Sequence, residues 1–207
     1  MSILSQISTK PWLPDDNNKV PRNADRGTGR LADNKVGLWV FLAVVSSLFL
    51  ILGNAYVARR GFEDWHALPE LGLLWFNTGL LILSSIALQW SKLSASRGHR
   101  ESVKLSLLVG GFLACGFLFG QLYAWHQLSE MGYFVSSNPA NSFFYLITGI
   151  HGLHLLGGLV ALVRATFRAW SESESEQVYL ISVSLCSVYW HFLLLVWLIF
   201  FGLMFFS

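Results

Sequence analysis

The chain has 207 residues, of which 54% are apolar and only 13% charged, and its mean hydropathy is +0.51. The charges are unevenly placed: no Lys, Arg, Asp or Glu falls within five stretches at about 36–58, 71–90, 105–125, 142–163 and 178–206, which excludes an ordinary soluble domain. A net charge of +2 is also too mild to point to a nucleic-acid partner.

Each stretch is long enough to cross a hydrocarbon layer of ~30 Å as a helix. A barrel strand would alternate apolar and polar residues over about ten positions, whereas Leu105 to Trp125 runs on without alternation. Backbone groups in lipid must be satisfied within their own segment, and a helix does this. The expectation is an all-α fold, a polytopic membrane protein built as a bundle of five transmembrane helices.

In chain order, residues 1–35 are polar, contain Pro11, Pro14 and Pro21, and lack the apolar core of a signal peptide. They read as a disordered or loosely attached N-terminal tail preceding the transmembrane domain, 36–206. The link 59–70, from Arg59 to Glu70, mixes charges with aromatics and reads as lying along the outer interface of the membrane. Residues 126–141 contain Gly132, Asn138 and Pro139, and Asn141 with Ser142 offers a turn and N-cap for the fourth span. The Ser-Glu alternation from Ser171 to Glu176 reads as a solvated loop. With five spans, the tail and the links at 91–104 and 164–177 share one side, which carries 12 of the 14 basic residues. The positive-inside rule then places the N-terminus in the cytoplasm and Ser207 outside. Trp39, Trp75, Trp90 and Trp125 stand near span ends, where indole rings favour the headgroup region. Cys115 and Cys186 read as small buried residues, since no CxxC pair exists.

Polar side chains within the spans are costly. The candidates are Asn54, Asn77, Gln89, Gln121, His151, His154, Tyr189 and His191. His151 and His154, three apart, share a helix face with Gly158 and Ala161. Counted from the ends of their apolar stretches, they reach a depth similar to that of His191, so the three imidazoles could meet. Three readings are open: a polar packing cluster, haem or metal ligation, and a proton relay. The spans offer no carboxylate to orient ligands or to pass protons. Gly116 with Gly120, and Gly157 with Ala161, form small-xxx-small pairs that allow close helix approach. There is no phosphate loop, GxSxG, HExxH or CxxCH motif, and a structural or accessory subunit is the reading that follows.

Four segments carry a family resemblance: Leu68 to Ser85 (LPELGLLWFNTGLLILSS), Phe119 to Leu128 (FGQLYAWHQL), Ser136 to Gly158 (SSNPANSFFYLITGIHGLHLLGG) and Tyr189 to Trp197 (YWHFLLLVW). Together they resemble the short, five-helix form of haem-copper oxidase subunit III, in family order and at family spacing. The resemblance implies a non-catalytic subunit of a cytochrome c or ubiquinol oxidase in a bacterial plasma (inner) membrane. It implies packing against catalytic subunit I, and subunit II, with membrane phospholipid bound. No cofactor would belong to this chain, haem and copper being held by the catalytic partner. It also implies structural or subunit-packing roles for His151, His154, His191, Gln121, Asn77, Gly116, Gly120, Gly157, Gly158, Tyr189 and Trp190. Relatives often carry acids where this chain has Val45 and Leu194. That departure keeps open an accessory subunit of a nitric oxide reductase, and the histidines themselves keep open a membrane b-type cytochrome using His151 or His154 with His191.

Overall fold

The computed structural model describes residues 22–63, 65, 72–171 and 176–205, with the side chains of 22–33 and 176 left aside. The described residues form five helices: α1 (Arg22–Arg59), α2 (Gly72–Ser96), α3 (Arg100–Glu130), α4 (Pro139–Trp170) and α5 (Glu176–Phe205). All five are long and apolar enough to cross a membrane, as the charge-free stretches led us to expect. The protein is a multi-pass membrane protein.

The chain divides into two units, Met1–Gly37 and Leu38–Ser207. In the first, residues 22–37 are helical, so the part of the expected tail from Arg22 onward is helix rather than irregular chain. Ala24, Arg26, Arg30, Leu31, Ala32 and Lys35 are good helix formers, and extending an existing helix adds one hydrogen bond per residue ordered. Hydropathy does not register such an extension. Residues 1–21 lie outside the described residues, as do 64, 66–71 and 172–175, which hold much of the 59–70 link, the start of the LPELG segment and the Ser-Glu loop.

In the second unit, α2 packs against α3 and α5, and α4 against α3 and α5, closing a ring of four helices. The α2–α3 seam is close because glycines line it. A Cβ on Gly110 would lie 3.2 Å from Leu88 Cγ, and Ser84 Oγ donates to the Gly110 carbonyl at 2.8 Å. The ring interior is filled by Leu81, Leu88, Leu107, Phe117, Leu155, Trp190, Leu193 and Trp197. The part of α1 from Leu38 onward joins this unit through Val45, Phe49 and Tyr56, which pack with Ile147, Val196 and Phe200.

Helix ends extend beyond the apolar stretches, and local chemistry sets them. Gly98 and Gly132 adopt φ of +77° and +85°, the left-handed conformation that glycine tolerates after a helix. His99 N–H donates to the Ser94 carbonyl and Tyr133 N–H to the Leu128 carbonyl, both at 3.0 Å, closing the last turns of α2 and α3. The start of α4 corrects the expectation of a cap at Asn141 and Ser142. Asn138 is the N-cap, its side chain accepting from Ala140 N–H at 3.1 Å, and Pro139 occupies the first turn, where its fixed φ suits the helix. Asn141 Nδ2 instead donates back to the Phe134 carbonyl at 3.2 Å and to Ser137 Oγ at 2.9 Å.

The end of α4 is closed by a side chain. Arg100, first residue of α3, donates from Nε to the Ala169 carbonyl at 3.2 Å and from Nη2 to the Ser171 carbonyl at 2.6 Å. Its guanidinium also lies 5.5 Å from the centre of the Tyr179 ring on α5. A cation at a helix C-terminus satisfies orphan carbonyls and complements the helix dipole. One residue thus ties together α3, α4 and α5 at the basic end of the bundle.

Candidate functional site

The polar residues within the spans take three different environments. His151 on α4 points into the ring and is 1% exposed. Its imidazole lies 5.2 Å from the Trp197 ring, 6.0 Å from Phe117 and 6.5 Å from Phe49, centre to centre. Trp197 and Phe117 meet edge-to-face at 4.9 Å, a favoured aromatic geometry, and Trp197 Nε1 donates to Thr78 Oγ1 at 3.0 Å. Asn77, beside Thr78, and Gln121, one turn along α3 from Phe117, are buried at 0% and 5% exposure. The Asn77 carboxamide rests directly on Gly120, whose missing side chain gives it room: a Cβ there would stand 2.1 Å from Asn77 Oδ1.

His154 turns toward α1. Its ring lies 5.6 Å from Phe49 and 6.2 Å from Phe41. Its Nδ1 is 2.8 Å from the Ile150 carbonyl, and since a carbonyl only accepts, Nδ1 carries the proton. Tyr189 on α5 donates its hydroxyl to the His154 carbonyl at 2.9 Å, and the same Tyr189 ring lies against Gly158.

His191 faces α2. Nε2 donates to Gln89 Oε1 at 2.9 Å, and Nδ1 is hydrogen-bonded by Ser85 Oγ. Both ring nitrogens are therefore used in joining α5 to α2. The expectation that three imidazoles could meet is not met: His191 bonds across to α2, whereas His151 sits against Trp197, six residues further along α5. That separation is ~9 Å along the helix axis. The sequence count failed because it ignored helix rotation and axial offset: His191 turns to α2 and His154 to α1. Among the described residues no group of three or more His, Cys, Asp or Glu could hold a metal.

The small residues divide likewise. A Cβ on Gly158 would fall 2.9 Å from Tyr189 Cε1 and 3.1 Å from Trp190 Cζ3, and one on Gly116 would make ordinary contact with Leu80 Cδ1 at 3.5 Å. Gly157 differs: a Cβ there meets nothing within 4 Å, and Ala161 is exposed too, so this pair faces away from the bundle. Asn54 is exposed and bonds only its own helix, Nδ2 to the Leu50 carbonyl at 2.9 Å. Trp39, Trp75 and Trp90 are largely exposed, whereas Trp125 folds inward and donates to Thr148 Oγ1 at 3.1 Å. Sequence reasoning missed Thr78, Thr148 and Ser85, whose short hydroxyls pass for ordinary span residues. Cys186 is buried and Cys115 half-buried, and both thiols are free.

The family model described as "Cytochrome c oxidase subunit III" matches residues 37–207. The chain belongs to this family. Among its relatives, a protein of Synechocystis sp. named cytochrome c oxidase subunit 3 is 32% identical over 98% of this chain and 88% of its own length. Two proteins named probable cytochrome c oxidase subunit 3 are similar over 83% of this chain and 86% of their own length. They come from Nocardia farcinica, at 34% identity, and Mycobacterium leprae, at 35%. The part matched to the subunit III family is the five-helix region from Gly37 onward. Val45 and Leu194, at positions where the resemblance led us to expect acids, take apolar roles in this member: Val45 is buried with Phe49 and Phe200, and Leu194 packs on the ring interior.

Proposed function

We propose that this chain is the non-catalytic third subunit of a bacterial respiratory haem-copper oxidase. It braces the catalytic subunit while that subunit, with its haem and copper, reduces oxygen to water. The observation that carries this reading is the family match, which covers residues 37–207. The arrangement of the polar side chains supports it. His191 has both nitrogens in helix-to-helix hydrogen bonds, Tyr189 bonds the α4 backbone, and Trp197 bonds α2. These groups hold helices to one another. The bundle also presents many exposed apolar side chains along its length, among them Phe112, Phe119 and Phe167, as a surface surrounded by lipid and neighbouring subunits requires.

The protein would lie in the plasma membrane with its N-terminus in the cytoplasm, because 12 of the 14 basic residues would then be cytoplasmic. The test is to tag the chain, solubilise the membranes in mild detergent and identify what co-purifies. The expected result is a complex containing a large subunit with haem and copper spectra, while the chain purified alone shows no Soret band. A Soret band from the isolated chain, or recovery with a nitric oxide reductase, would overturn the proposal.

A further inference from the structure

Three of the most deeply buried polar side chains in the bundle have no hydrogen-bond partner among the described residues: Asn77 at Oδ1 and Nδ2, Gln121 at Oε1 and Nε2, and His151 at Nδ1 and Nε2. All three are more than nine-tenths buried. Asn77 and Gln121 belong to the α2–α3 seam, the first resting on Gly120 and the second adjacent to it in the chain. Phe117, one turn from Gln121, carries the seam to His151, whose ring it meets at 6.0 Å. Buried polar groups in proteins are almost always paired, and inside a bundle surrounded by hydrocarbon unmatched ones are not solvated by bulk water. Six unmatched atoms would weigh heavily against a net stability of 5–15 kcal/mol, typical of folded proteins.

We infer that the seam between α2, α3 and α4 is a binding site for ordered water, held by Asn77, Gln121 and His151. The chemistry of the groups selects the ligand. Two carboxamides and an imidazole offer donors and acceptors together and no fixed charge, so the site suits a small neutral molecule that both donates and accepts. On the His151 side the Phe117 and Trp197 rings pack against the imidazole, at 6.0 and 5.2 Å. A buried water makes about three hydrogen bonds, so about two waters satisfy the six atoms. Gly120 is part of the site, since any side chain there would displace the Asn77 carboxamide. The site explains why three costly polar residues occupy the interior of an otherwise apolar ring, and it does so whatever partner the bundle serves.

The test is X-ray hydroxyl-radical labelling of the full chain in lipid nanodiscs, where radicals formed from bound water modify the side chains beside it. With each rate divided by the intrinsic reactivity of its residue type, Phe117, His151 and Trp197 should label faster than Phe200, which is also buried but lies among apolar groups. In the Asn77→Leu, Gln121→Leu double variant this excess should fall to the Phe200 rate. Equal labelling of the four residues in the wild-type chain would overturn the inference, and so would an excess that persists in the double variant. The wild-type comparison stands whether or not the double variant folds.

Discussion

Gly157 and Gly158 are adjacent, identical and one helical step apart, yet the structure assigns them opposite tolerances. Replacing Gly158 by Ala puts a methyl group 2.9 Å from Tyr189 Cε1 and 3.1 Å from Trp190 Cζ3. Neither ring yields easily. Tyr189 is held at its far end by the hydrogen bond to His154, and Trp190 is fully buried. Overpacking of this kind costs about 1–3 kcal/mol, against which alanine's better helix propensity returns up to about 1 kcal/mol. The net expectation for Gly158→Ala is a loss of about 1 kcal/mol, roughly five-fold in the unfolding equilibrium. Gly157→Ala has no clash to offset the propensity gain and should be neutral or stabilising by up to about 1 kcal/mol. Reversible unfolding of the full chain in mixed detergent micelles, followed by tryptophan fluorescence, measures both variants under the same conditions. Equal stability of the two variants would refute the assignment of Gly158 to the α4–α5 contact.

Removing the Tyr189 hydroxyl should cost about 0.6 kcal/mol, the average for hydrogen bonds between membrane helices. In the Tyr189→Phe background the Gly158→Ala penalty should shrink as the ring is released, a non-additivity that the same unfolding assay reads as a double-mutant cycle. Arg100→Ala removes two hydrogen bonds from the end of α4. It should cost about 1–3 kcal/mol and raise amide hydrogen exchange in the last turn of α4 above that in its first turn, where the Asn138 cap is intact.

The five spans were legible because charge is expelled from lipid whatever the tertiary structure. Their ends were not, because glycine turns, a proline and the Arg100 guanidinium decide where a helix stops, and hydropathy registers none of these. The polar residues were found as a set, since each is conspicuous in an apolar run. Their grouping was hidden, because it depends on helix rotation and axial offset. One residue of rotation separates Gly158, against two aromatic rings, from Gly157, in the open. Six residues along α5 separate His191 from the level of His151. Trp125 shows the same limit: a tryptophan at a span end looks like a headgroup anchor until the Thr148 hydroxyl is seen beside it.

Only residues 97–99 separate α2 from α3, and the contacts between these helices pair residues nearly equidistant from that link, Leu88 with Gly110 and Asn77 with Gly120. The two helices form an antiparallel hairpin whose register is set by its own turn. During synthesis such a hairpin can zip together once its second arm has left the ribosome, before α4 and α5 have been made. Insertion into the bilayer would then proceed by pairs, with the later helices closing around a part already assembled.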